Sequence, residues 1–599
     1  MAEIVKPSDL PVSAEIKIKG KVLSGEVEII SIGITREINR IATATIKISD
    51  GGVFGLENEP FTNSSSDNFI PGNDIEINLG WGEDRESVFT GIITGQRLVV
   101  RSDTSYLSVS CKDQAFKLTT SRSNQVMADS KDDDLFSKLI SNAGLTADVA
   151  SVTQYSSPLF QYNSSDWDYL VIRAETNNLF VVTDQKKVFV KAYELSSSPD
   201  YCLQADMTAI EVDLELSGDA VFSEINFTSW DPKTQEKKVV SSNMSDPLQL
   251  SNLTAQKIAG SLSLPAINKY SSAPVSEEEL TAYSKSWINK SALSKVKGKI
   301  TSVGTAKLKP GDLVQLKNFG ARYDGVAFIT KIEQECSNGN WVTKVFIGAQ
   351  SRWHSSLPDV QEQDGLGLLP GVKGTHLAKV KQINEDKDGE FRVLVELVAF
   401  QNDSNSNELW ARIAFNYASD QAGFFFFPEI GDEVLITFLN GDPRFPVIIG
   451  SLYSSKLAPV LVPDEENSTK AIHSKSGIAI IFDEKDKILT IQTPGGNTFM
   501  LDDKEKQVTA KDSNSNEMIL GQEGIKLSSP KDIVLDAQGK INLKAISGIS
   551  LESSGGDLSG KGMNVSLEAD ITLKAAGNAS AEFSASGQTS LKGAMVMIN

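Results

Sequence analysis

The chain has 599 residues, too many for a single hydrophobic core, so roughly three to five domains are expected. A formal net charge of -20 argues against nucleic acid or an anionic membrane as a standing partner, because counterion release needs a basic face. The three cysteines (Cys111, Cys202, Cys336) are too few and too scattered for a disulfide framework, the N-terminus lacks a signal-peptide core, and no run of about 18 apolar residues occurs; synthesis in a reducing cytosol is expected.

Residues 15–120 read as β, with alternating runs at 26–34, 42–48, 74–79, 88–94 and 106–111. PGNDIEINLGW at 71–81, followed by VFTGIITGQ at 88–96, has a counterpart in KPGDLVQL at 309–316, followed by VAFITKIEQ at 326–334. A Pro-Gly turn, an acidic residue, a strand and a second apolar strand thus occur twice. Two related small β-barrels are expected within the first 350 residues.

Between them, DDDLFSKLISNA at 132–143 reads as a helix with an acidic start and Gly144 as its stop. SDWDYLVIRAE at 165–175 is a second helix, and SEEE at 276–279 is a capping box opening a third through Trp287 and Ile288. The stretch containing QEQDGLGLLPG has the composition of a linker. A third β unit contains ELWARIAF at 408–415 and GFFFFPEIGDEVLITFLNGDPRFPVIIGSLY at 423–453; a five-stranded barrel of the oligonucleotide/oligosaccharide-binding (OB) type fits it. The run Phe424, Phe425, Phe426, Phe427 stands beside a strand and is expected in the barrel core. A β-meander, GIAIIFDEKDKILTIQTPGGNTFML, follows.

From Ile525 onward the sequence repeats every eight residues: IKLSSPKD, IVLDAQGK, INLKAISG, ISLESSGG, DLSGKGMN, VSLEADIT, LKAAGNAS, AEFSASGQ, TSLKGAMV, MIN. Slot one holds Ile525, Ile533, Ile541, Ile549, then Asp557 out of pattern, then Val565, Leu573 and Ala581. Slot three holds Leu527, Leu535, Leu543, Leu551, Leu567, Phe583 and Leu591. Apolar residues two apart point the same way in a strand, so a fixed short period of this kind marks a β-solenoid or β-prism with a thin core and no ligand cavity. Three chains wound together would rise about 4.8 Å per octad, giving a rod of about 45 Å, and a single chain wound on itself one about a third as long. The period is compatible with both windings. Asp557 makes its octad the weak one, with Ile571 marking a slip or bulge near it.

Motifs for chemistry are sparse. GGDLSGKG at 555–562 nearly matches a phosphate-binding loop, but Gly562 stands where Ser or Thr is needed and strands follow, so it reads as a repeat corner. Asp129, Asp132, Asp133 and Asp134 lack the spacing and closing Glu of a Ca²⁺ loop and read as a helix start. His354, His376 and His473 are too scattered for a metal cluster or a triad. No catalytic residue, cofactor or metal is expected.

The order of parts resembles the VgrG family, the spike proteins of type VI secretion and related contractile injection systems, and the fused hub and spike of contractile phage tails. The resemblance rests on GDEVLITF at 431–438, GDPRFP at 441–446, GSLY at 450–453, HSKSGIAIIFDE at 473–484 and the octads, and it covers nearly the whole chain. It implies a mainly β fold: two hub β-barrels with helical insertions, an OB-fold barrel and a C-terminal trimeric octad-repeat β-helix or prism. The expected divisions are 1–125 first hub barrel, 126–275 mixed α/β insertion, 276–355 second hub barrel, 356–370 linker, 371–455 OB barrel, 456–524 meander and 525–599 spike. The spike core would be Ile525, Leu527, Ile533, Leu535, Ile541, Leu543, Ile549, Leu551, Val565 and Leu567.

The resemblance further implies a homotrimer whose six hub barrels meet a hexameric tube protein. Baseplate proteins and effectors are the other partners, nucleic acid is none, and a membrane is met only during puncture. A PAAR-type tip protein would dock on Leu591, Met595, Val596, Met597, Ile598 and Asn599. Some relatives carry a metal in their own tip through C-terminal histidines, which GAMVMIN lacks, and some carry an enzyme before or after the spike. Residues 456–476 are too few for a catalytic domain and nothing follows the octads, so both slots are expected empty. The protein would assemble in the cytoplasm and then be delivered by the contractile apparatus. The alternatives are a single-chain β-helix polysaccharide lyase or wall hydrolase, favoured by a charged cleft on the solenoid face, and a tail-fibre-like adhesin, favoured by distal aromatic platforms.

Overall fold

The computed structural model describes residues 2–5, 8–52, 60–127, 131–153, 155, 158–399 and 407–598. The chain divides into two units, Met1–Leu452 and Tyr453–Asn599. The fold is mainly β, as the alternation predicts.

In the first unit the duplicated signature produces a duplicated structure. Pro71 and Pro310 each precede a turn glycine, Gly72 (φ 102) and Gly311 (φ 95), whose left-handed backbone a side chain would strain. Strands Asp74–Trp81 and Leu313–Lys317 follow, each paired with a long strand, Asp84–Val100 and Gly325–Ser337 respectively. The repeats share one fourteen-stranded sheet, joined where Ile29–Glu37 pairs antiparallel with Gly325–Ser337. Each repeat buries its own core: Ile16, Ile46, Ile77, Leu79 and Val109 in the first, and Val314, Leu316, Ile329, Val345 and Ile347 in the second. Trp81 and Trp341 link them with ring centroids 5.7 Å apart, and the Trp81 Nε1–H donates to the Gly304 carbonyl at 3.0 Å.

Among the described residues four helices pack beside the sheet: α1 (Asp132–Asn142), α2 (Asp166–Thr176), α3 (Ala255–Ser261) and α4 (Glu277–Ser294). The expected capping Ser276 accepts from the Glu279 N–H at 3.2 Å, and Ser165 caps α2 by accepting from the Asp168 N–H at 3.1 Å. Helix α4 runs on past Ile288 to Ser294, and α3 has no counterpart among the expected elements. The acidic start of α1 is more than helix electrostatics. The Asp132 carboxylate is fully buried and accepts from Arg173 Nε and Nη2 (3.0 and 2.7 Å) and from Asn177 Nδ2 (2.8 Å). Arg173 also donates to Glu279 Oε1 at 2.7 Å, so one guanidinium ties α1, α2 and α4 together. Asp129 lies outside the described residues.

The stretch with linker composition is strapped down. His354, one of the three scattered histidines, is buried with its Nε2 2.8 Å from Asp168 Oδ1, and its main-chain N–H donates to Glu175 Oε2 at 2.9 Å. Arg122 donates to the carbonyls of Asp359 and Val360 at 2.5 and 2.7 Å. Burial raises the Asp168 carboxyl, but the hydrogen bonds from His354 and Ser165 and the His354 charge outweigh it and hold the group below its usual range. Burial pulls the Lys290 ammonium down against its 2.7 Å ion pair with Glu175.

Residues 376–451 close a five-stranded barrel in the order His376–Gln382, Val393–Leu397, Glu408–Ile413, Pro446–Ser451, Glu433–Phe438. Its core is Ala378, Val380, Val393, Val395, Ala411, Val434, Ile436 and Ile448. The phenylalanine run departs from expectation: Phe424, Phe425 and Phe426 are exposed, Phe425 at 84%, and Phe427 alone leans on the core, meeting Phe415 edge-on with centroids 5.5 Å apart. Successive side chains of extended backbone point to opposite sides, so four in a row cannot all enter one core.

The second unit holds a seven-stranded antiparallel meander of five-residue strands, from Thr469–His473 to Gly524–Ser528, in sequence order. Its turns are pinned by side chains. The Asp483 carboxylate accepts from the N–H groups of Lys485 and Asp486, both at 3.0 Å, and Asp512 accepts from Asn514 and Asn516 at 2.9 and 2.8 Å.

Candidate functional site

The ladder register of the meander decides which side chains share a face. Ile480 stands opposite Ile491, which stands opposite Phe499; Phe482 stands opposite Leu489, then Leu501, then Val508. Val508 faces Leu520 and Leu520 faces Ile525, while Met518 faces Leu527. Residues directly opposite in an antiparallel pair lie on one face. The face therefore reads Ile472, Ile480, Phe482, Leu489, Ile491, Phe499, Leu501, Val508, Ala510, Met518, Leu520, Ile525, Leu527, apolar but for Lys470 opposite Phe482 on the first strand. The opposite face is mixed, with Thr490, Asp502, Thr509 and Lys526 beside Ile481, Ile488, Met500 and Ile519. The last two members of the apolar face are slots one and three of the first octad.

This face is a single layer whose own chain does not cover it. Phe482 is 41% exposed and Ile525 73%. Each aliphatic left in water forgoes about 1.5–3 kcal/mol of burial.

Beyond Ser528 no ladder strand follows among the described residues, and the backbone bends at a fixed interval. Bends fall at 530–531, 538–539, 546–547, 554–556, 563, 570–571, 578–579, 586–587 and 594. The eight-residue phase runs through the octad of Asp557 without a slip, and Ile571, like Ile546 and Met563, sits at a bend rather than in a strand slot. Gly555 and Gly556 of GGDLSGKG also fall at such a bend, and the next bend, at 563, follows the motif. Among the described residues from 529 to 598, no backbone N–H is paired with another carbonyl of the chain. A single-chain solenoid would pair each coil with the next. Ile533, Leu535, Ile541, Leu543, Ile549, Leu551, Val565 and Leu567 all stand at least half exposed along this segment, as do Leu591, Met595, Val596, Met597 and Ile598. Asn599 lies outside the described residues.

Two apolar features were not legible in the periodicity: the exposed Phe424–426 surface, whose signal is four consecutive aromatics, and the continuity of the meander face with the octads. The latter could have been found by carrying the alternation back through five-residue strands separated by turns of two to five residues. His376 and His473 lie on separate strands, and among the described residues no group of three His, Cys, Asp or Glu side chains converges as a metal site would require. Among them, too, no helix is long and apolar enough to cross a membrane.

Comparison with known proteins matches residues 8–338, more than half of the chain, to the Alg8 N-terminal domain family, and residues 376–453 to the type VI secretion system/phage-baseplate injector OB domain. The type VI secretion system spike protein VgrG3 of Vibrio cholerae is 32% identical over 106 residues, 17% of this chain and 10% of the relative. The actin cross-linking toxin VgrG1 of the same species is 31% identical over 106 residues, again 17% and 10%. The match thus spans about a tenth of each relative's length. Among solved structures, the E. coli c3393 protein, a component of the type VI secretion system, aligns with a TM-score of 0.36 at 14% identity, over 73% of this chain and 99% of that one. The chain belongs to the Alg8 N-terminal domain family and, with its injector OB domain, to the VgrG family of spike proteins.

Proposed function

We propose that this chain is the hub and central spike of a contractile injection system, acting as a homotrimer. The observation that carries the reading is the apolar face running from the meander into octads that the chain itself neither covers nor pairs. Three copies wound together meet both needs at once. Each octad strand gains backbone partners from a neighbouring copy, and slots one and three turn inward. Nearly ten octads at about 4.8 Å each make a stiff rod of about 45 Å.

The mechanism is mechanical. Three copies carrying two sheet repeats each present six similar units to a hexameric tube protein. Sheath contraction drives the tube, and the rod concentrates that force on a small tip that breaches the target envelope with its effectors. Assembly takes place in the cytoplasm among baseplate proteins, and a membrane is met only during puncture. The chain performs no catalysis of its own.

At the far end of the octads, Leu591, Met595, Val596, Met597 and Ile598 are exposed, and residues 593–598 carry no charged side chain. An apolar patch of this kind is a docking surface. A small PAAR-type tip protein sits there, one partner on three copies. Truncation after Gly587 is expected to leave the trimer folded, abolish co-purification of the tip protein and sharply reduce delivery. Binding at wild-type strength by the truncated spike would move the docking site elsewhere.

A further inference from the structure

The two repeats of the large sheet correspond residue by residue, and their ladders give the correspondence. In the first, the long strand Asp84–Val100 is bulged between Ile93 and Gly95 and pairs with Ser105–Lys112, Ile93 opposite Cys111. In the second, Gly325–Ser337 is bulged between Ile329 and Lys331 and pairs with Asn340–Ile347, Ile329 opposite Ile347. The next strands out match as well: Thr43–Ser49 with Val296–Val303, then Ile29–Glu37 with Ala209–Leu216. Even their bulges coincide, Ile29/Ser31 in one and Ala209/Glu211 in the other. By this alignment Ile32 corresponds to Val212, Ile34 to Leu214 and Gln334 to Leu98.

One junction is made once within the chain and left open once. Ile29–Glu37 closes on the far half of Gly325–Ser337, with Glu37 opposite Lys331, Ile34 opposite Gln334 and Ser31 opposite Ser337. The corresponding edge of the second repeat, Ala209–Leu216, pairs with Val296–Val303 alone among the described strands. The corresponding half of the first repeat's long strand, residues 94–100, pairs with Ser105–Lys112 alone. Burial follows the difference: Ile32 and Gln334 are 1% and 4% exposed, and their counterparts Val212 and Leu98 are 44% and 43% exposed.

We propose that a second copy of this chain fills the gap, residues 211–217 of one copy pairing antiparallel with residues 95–101 of the next in the register of the internal junction. That register sets Val100 opposite Val212, Leu98 opposite Leu214 and Gln96 opposite Leu216 on the face that continues the buried core. On the other face it sets Arg97 opposite Glu215 and Arg101 opposite Glu211, with Val99 opposite Asp213. Two of the three inward pairs are apolar on both sides and both arginines meet glutamates, although the internal junction pairs different residues at those positions. Opposite charges directly across a ladder stabilise it, and two open edges gain the backbone partners they lack. The contact joins two different surfaces, so successive copies run head to tail and close into a ring in which first and second repeats alternate. That the ring holds three copies rests on the trimer proposed above.

Cysteine pairing in the full chain tests the register. Leu98→Cys with Leu214→Cys, oxidised by copper phenanthroline in air, is expected to convert most of the protein to intermolecular disulfides, seen as a ladder on a non-reducing gel. Leu98→Cys with Asp213→Cys, which faces the other way, should give no more product than the wild type with its native cysteines. Adding Arg97→Glu to the productive pair should lower its yield several-fold, and adding Glu215→Arg should restore it. A trimer by light scattering that gives no product above the control overturns this interface and leaves the trimer standing; a monomer overturns both.

Discussion

Leu543→Asp is expected to open the spike, while the adjacent Lys544→Asp leaves it intact. In the isolated chain both side chains are exposed, so a monomer would register neither change beyond about 0.5 kcal/mol. In the wound trimer they part company. Leu543 sits in slot three, on the line that Leu527 continues from the apolar face of the meander, whereas Lys544 points outward. Replacing Leu543 forfeits about 1.5–3 kcal/mol of burial in each chain and brings three carboxylates together at one level of the rod. Those carboxylates take up protons or the rod opens locally, because an unpaired buried charge is costly. Protease resistance and melting should separate the two variants. If they behave alike, the inward slots are misassigned.

The second large effect lies in the hub. Arg173→Met leaves the fully buried carboxylate of Asp132 and the largely buried Glu279 without their shared cation. Removing one partner of a buried ion pair costs about 3–5 kcal/mol, and here one cation serves two anions on two other helices. The packing of α1 and α4 against α2 should loosen, seen as a lowered melting temperature and early cleavage between the helices. Lys138→Met, on the exposed side of α1, should be silent. Asp132→Asn added to Arg173→Met should cost less than the two single changes together, since the pair shares one interaction. Additive losses would mean that the network contributes packing alone.

What the sequence displayed most plainly was what repeats. The octads announce themselves because slots one and three recur without help from tertiary context, and the Pro-Gly signature announces the duplicated sheet because both copies need the same left-handed turn. Ser276 could be read as a cap because the bond it makes is local. Less was legible where the deciding partner is distant in sequence. Asp132 looks like a helix-start acid until Arg173 and Glu279 fold around it, and His354 looks isolated until Asp168 and Glu175 receive it. The phenylalanine run was misread for a different reason. Hydrophobicity placed it in the barrel, but alternation sends half of any such extended run away from a core, and Phe425, beside Phe427 at 5.0 Å between centroids, is left outside as well. Residues 356–370 were read from composition as a free linker, yet a few hydrogen bonds from Arg122 to carbonyls just past Leu357 suffice to strap the start of that stretch down.

Under the proposed winding this chain completes its spike only in company with two others, and the mass of the purified protein decides whether it does. Light scattering on the full chain at low micromolar concentration should give three times 64.8 kDa, a mass that persists on dilution because the wound strands share their backbone hydrogen bonds. A stable, monodisperse particle of 64.8 kDa would contradict the account, since such a chain would have to keep its octads folded without neighbours.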